Sequence, residues 1–109
     1  MTVTKYLTYV ASTPANTTEL TQQITQDDNQ DRHLVGILTG DATKLNRTQI
    51  QLSGKVVVDI DNSLMGQQKD FIPLDVTFKA GVFFFLGTQN GTAGAVDNIP
   101  ITIKYEVPN

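Results

Sequence analysis

The chain has 109 residues, 8 basic and 11 acidic side chains for a net charge of −3, and no cysteine. That length fits one domain spanning 1–109. The scattered cations (Lys5, Arg32, Lys44, Arg47, Lys55, Lys69, Lys79, Lys104) form no basic patch of the kind a nucleic-acid binder needs, and the missing thiols exclude disulfides and thiolate metal sites. No stretch approaches the ~18 apolar residues of a membrane helix, and no basic-then-apolar leader is expected at the start.

Taken in chain order, the pattern is one of strands. Residues 2–11, TVTKYLTYVA, are rich in β-formers and end before Pro14. Residues 16–26, NTTELTQQITQ, read as an extended edge segment, with a single helical turn as the alternative because Leu20 and Ile24 stand four apart. Residues 25–32 form a polar loop, and HLVGILT at 33–39 is a buried run closed by Gly40 and Asp41. TQIQLS (48–53) alternates, as does KVVVDI (55–60), with Val56, Val58 and Ile60 on one face. Gly54 between them is either a tight turn or a bulge within one long strand. In FIPLDVTFK (71–79), Leu74, Val76 and Phe78 point inward, and Pro73, lacking an N–H, sets the strand's start at an edge or before the ladder begins. The last strand, 99–107, places Ile99, Ile101, Ile103, Tyr105 and Val107 on a dry face and Pro100, Thr102, Lys104 and Glu106 on a wet one.

The strand before it breaks this rule. In GVFFFLGT (81–88), Phe83 and Phe85 point one way while Val82, Phe84 and Leu86 point the other, so both faces are apolar. One face enters a core. The other would expose a patch of roughly a few hundred Å², the scale at which surfaces mark contact sites. Three covers remain open: this chain's own 12–26 segment or Leu64–Met65 loop, a second subunit, or a ligand in a pocket. Val82, Phe83, Phe84, Phe85 and Leu86 are therefore the candidate core-plus-interface element. The stretch 87–98 reads as a long glycine-rich hairpin loop, with Gly87, Thr88, Gln89, Asn90 and Gly91 as a candidate contact tip.

Chemistry is sparse. The only histidine, His33, follows an acidic loop and is read as a loop residue, a strand-edge residue or a salt-bridge partner of Asp27, Asp28 or Asp31. No spacing supplies a nucleophile to pair with it. Asp59 and Asp61, with Asn62 and Ser63, carry the hard oxygens that calcium takes. They lack the glycine and terminal glutamate of an EF-hand loop, so a strand end capped by Asx turns is the favoured reading. GDATK at 40–44 lacks the spacing of a phosphate loop. No metal, cofactor or catalytic activity is expected. A carbohydrate-binding module would present an aromatic platform, yet there is no tryptophan, and Tyr6 and Tyr9 fall on opposite faces of their strand.

The expected fold is all-β: an antiparallel β-sandwich of seven or eight strands, plausible as a single jelly roll. The order of parts resembles small structural proteins of bacterial viruses. A threonine-rich first strand leads to HLVGILTGD, and IPLDVTFKAGVFFFLGTQNGTAGAVDNIPITIKYEV follows as a closing hairpin. The resemblance implies a capsid, decoration or spike protein in a virion, assembled in the host cytoplasm. Its implied partners are other virion proteins and copies of itself, with a trimer or pentamer as the expected homo-oligomer. It carries over no binding residue. The competing expectation is a small ligand- or carbohydrate-binding sandwich; an enzyme comes third.

Overall fold

A computed structural model describes residues 2–23, 29–39, 46–52, 54–61, 71–82, 84–91, 94 and 96–108. Eight strands follow one another: β1 (Thr2–Thr13), β2 (Thr17–Gln23), β3 (Arg32–Thr39), β4 (Asn46–Leu52), β5 (Lys55–Asp61), β6 (Ile72–Phe78), β7 (Phe84–Asn90) and β8 (Val96–Pro108). They form two four-stranded sheets, ordered β1-β8-β3-β6 and β2-β7-β4-β5, with every neighbouring pair antiparallel. The protein is an all-β antiparallel sandwich.

The pairing follows a simple rule. β1 pairs with β8, β2 with β7, β3 with β6 and β4 with β5, so the second half of the chain folds back along the first. The pairs β3·β8 and β4·β7 then close each sheet. The tip of this fold-back is Gly54, whose φ of 80° lies where a side chain is strained and glycine is not. Leu52 pairs with Lys55 across it, so Gly54 belongs to a tight turn. The irregularity in this hairpin sits elsewhere, between Ile50 and Gln51.

Residues 17–23 are strand rather than a helical turn, and they form one edge of the second sheet. Side-chain parity explains why: Leu20 alone is a large apolar residue among threonines and glutamines, too little for a helical stripe. The alternation expected over 99–107 holds, with Ile99, Ile101, Ile103, Tyr105 and Val107 all buried. In β6, Phe78 is buried and Leu74 and Val76 pack against the core. Phe78 meets Phe84 of the opposite sheet edge-to-face, ring centroids 5.7 Å apart, so this aromatic contact bridges the two layers.

Three expectations need correction. Val56, expected on one face with Val58 and Ile60, is exposed, because the register slip sets it opposite Gln51 while Val58 stays opposite Ile50. β7 begins at Phe84 and runs on through Gly87 to Asn90, and β8 begins at Val96, so 87–90 and 96–98 of the long loop expected over 87–98 are strand. Gly87–Asn90 keep their strand because β2 and β4 flank them on both sides and satisfy their backbone groups. Nor do β7 and β8 form a closing hairpin: they lie in different sheets.

Candidate functional surface

The entrance to the phenylalanine strand is held by β3. Lys79–Val82 make a turn closed by the Val82 N–H donating to the Lys79 carbonyl at 3.1 Å, with Gly81 at φ 84°. This is the φ a type II turn demands of its third residue. Asp31, just before β3, accepts the Ala80 N–H at 2.8 Å and faces Lys79 Nζ at 3.5 Å. The Ala80 hydrogen bond, reinforced by the Lys79 charge, holds the Asp31 carboxyl below its ordinary value. Arg32 is 1% exposed; it donates to the Val82 carbonyl at 2.6 Å and lies 4.4 Å from the centroid of the Phe78 ring. The Asp-Arg pair, which looks like the end of a solvated loop, thus aims the chain into β7.

Of the five residues of the candidate interface element, Phe84 and Leu86 are buried in the core and Val82 packs against it, ahead of the strand. Phe85 points to the outer side of the second sheet and is half-buried, in register with Gln22 of β2 and Gln51 of β4. Phe83 lies outside the described residues, as do Leu64 and Met65. β7 is an interior strand of its sheet, so its cross-strand neighbours shelter part of Phe85.

Of the candidate contact tip, Gln89 and Gly91 are exposed, whereas Gly87, Thr88 and Asn90 are buried. The Thr88 hydroxyl hydrogen-bonds that of Thr13. Asn90 Nδ2 lies 3.2 Å from the carbonyls of Thr13 and Pro14 and 2.8 Å from that of Gly94, tying the β1–β2 corner to the β7–β8 connection. Beside this knot a shallow depression of about 180 Å³ is lined by Asn16, Thr17, Thr18, Gln89, Asn90 and Gly91, all uncharged.

The outer side of the first sheet carries the histidine. His33 Nε2 is 2.6 Å from Asp75 on β6, and Nδ1 is 3.4 Å from Glu106 on β8. The register explains the meeting: β3 lies between β6 and β8, with His33 opposite Thr77 and Glu106. The expected partners differ. Asp27 and Asp28 lie outside the described residues, and Asp31 is turned to Ala80 and Lys79. One row away, Tyr6 and Lys104 are paired, and Gly36 follows in the same row. Phe71 lies over Gly36, where a Cβ would stand 2.9 Å from the Phe71 Cβ. Tyr6 and Phe71 are 5.9 Å apart between centroids, with Lys104 Nζ 6.0 Å from the Phe71 ring. This pair of an exposed tyrosine and a half-buried phenylalanine joins residues 65 positions apart, so only strand order could reveal it.

Asp59 and Asp61 both turn to Arg47, at 2.7 Å from Nε and 3.8 Å from a terminal nitrogen. The Asp59 hydrogen bond raises the Arg47 pKa. A cation at these carboxylates would have to displace the guanidinium. Asn62 and Ser63 lie outside the described residues. Among the described residues, no group of three or more histidine, aspartate or glutamate side chains is placed to hold a metal ion, and no helix is long and apolar enough to cross a membrane.

What these residues define is an antiparallel β-sandwich with a polar corner tied by Asn90. No family model, curated protein or solved structure matches the chain.

Proposed function

We propose that this protein is a non-enzymatic assembly component of a virion — a capsid, decoration or spike protein — that self-associates through its β-sandwich faces and joins other virion proteins after synthesis in the host cytoplasm. The observation that carries the reading is the strand order β1-β8-β3-β6 against β2-β7-β4-β5, which we take as a single jelly roll. Jelly rolls serve viral capsids and lectins, so the support is an analogy of fold. Two features agree with it: both ring nitrogens of His33 face carboxylates, and neutral side chains dominate the outer side of β1. Light scattering coupled to size exclusion tests it, with an oligomer of defined size expected and a strict monomer at all concentrations overturning it. Phe85→Ser would lower the assembled fraction if the outer side of the second sheet forms the contact.

One observation favours a second reading, a glycan-binding module: the uncharged amide- and hydroxyl-lined depression at Asn16, Thr17, Thr18 and Gln89. Saturable binding by the monomer on a glycan array, lost in Gln89→Ala, would put this reading first.

A further inference from the structure

The four edges of the sandwich are not equally protected. β6 carries Pro73 and Asp75, β2 has seven residues with Glu19 among them, and β5 carries Lys55 together with the Asp59 and Asp61 carboxylates. Such short lengths, charges and prolines discourage further strand pairing. β1 is different. It is 12 residues long, contains no proline, and has Lys5 as its only charge. Among the described residues no strand pairs with its far side. Its outer-facing side chains are Thr2, Thr4, Tyr6, Thr8, Val10 and Ser12, with Tyr6 60% and Val10 54% exposed.

We infer that β1 is the site at which a second copy of this chain adds, antiparallel and about a two-fold axis, to make one sheet continuous across two molecules. This rests on the assembly reading above but places the contact at a sheet edge rather than on a sandwich face.

Three constraints set the register in which a copy fits this edge. First, residues opposite each other in an antiparallel pair share a face, so a two-fold must pass through a residue and not a peptide bond. Second, β1 is regular only up to Ala11, because its register with β8 slips between Ala11 and Thr13. The longest regular overlaps are therefore centred on Tyr6 or Leu7. Third, a centre at Lys5 would oppose two ammonium groups, whereas a centre at Tyr6 or Leu7 sets Lys5 against Leu7 or Tyr9. The outer row then matches threonine, valine and tyrosine with one another, pairs that favour sheet formation. The outer face of β1 bears no charge, so two molecules of net charge −3 meet there without local repulsion. Strand addition of this kind draws its affinity from main-chain hydrogen bonds.

The test compares the wild type with Tyr6→Lys/Val10→Lys, which adds charge at two exposed positions, and with Val57→Lys on β5 as the control. Mass is read by light scattering across concentration, and folding of each variant by circular dichroism and its thermal midpoint. A wild-type species with an even number of subunits, halved in mass by the β1 double variant and unchanged by Val57→Lys, is the expected result. Concentration-dependent protection of amides 2–11 in hydrogen exchange accompanies it. If the wild type assembles and the folded double variant keeps the same mass, the β1 contact is wrong while the assembly reading stands. If the double variant does not fold, unchanged exchange of amides 2–11 in the wild type on dilution overturns the contact. A wild type that is monomeric at every concentration removes both.

Discussion

Asn90 is almost wholly enclosed, and its amide serves carbonyls from three separate backbone positions. Replacing it with alanine removes the donor from all three, of which the bond to the Thr13 carbonyl is buried. Each unsatisfied buried group costs about 1–3 kcal/mol, so Asn90→Ala should lower stability by at least that much, read as a shift in the urea midpoint with an unchanged slope. Gly87 is constrained differently: a Cβ there would stand 2.0 Å from the Glu19 carbonyl oxygen, on the backbone of β2. Backbone cannot swing aside as a side chain does. Gly87→Ala should therefore cost about 1–3 kcal/mol and loosen β2, seen as faster amide exchange over 17–23. Asp31 carries a pH signature. Its carboxyl is held below its ordinary value chiefly by the Ala80 N–H, so its contribution is present at neutral pH and is lost as pH falls through the lowered folded-state value. Asp31→Asn should flatten the dependence of stability on pH below about 4, measured by denaturation across an acid series.

At the scale of elements, the turns decide where strands begin. The Lys79–Val82 turn, Asp31 and Arg32 together set the direction in which β7 starts. Arg32→Leu keeps much of the bulk but abandons the Val82 carbonyl, at about 1–3 kcal/mol, and a lower thermal midpoint should show it. Gly54→Ala forces a side chain into positive φ, worth roughly 1–2 kcal/mol at the tip of the β4–β5 hairpin. Strand identity was legible from period-two alternation, most clearly in β8, where every second residue from Ile99 to Val107 is buried. The extent of β7 was not. Gly87 and Asn90 carry loop propensity, yet flanking strands on both sides impose extension on them. The sites were less legible still: the Asp-Arg clamp, the His33 bridge and the Tyr6–Phe71 pair all join residues distant in sequence.

At the scale of the whole molecule, pairing joins the chain's ends: Val3 meets Val107 and Thr13 meets Val96. Nearly every sheet contact closes a long loop, and loop-closure entropy must be met before such contacts stabilise anything. Folding should accordingly be slow for the size, in the range of about milliseconds to seconds, by stopped-flow fluorescence of the tyrosines. The same architecture leaves two sheet edges per layer, and the least defended of them is β1.

The sequence by itself determined that this protein is β throughout, that Ile99 to Val107 present one dry face, and that Phe84 and Leu86 share a side, because side-chain parity along a strand is a local property. The tertiary structure alone decided which strands became neighbours, which edge stayed open, and that His33 meets Asp75 and Glu106. Strand partners are chosen by burial summed over the whole chain, a quantity that no local stretch of residues contains.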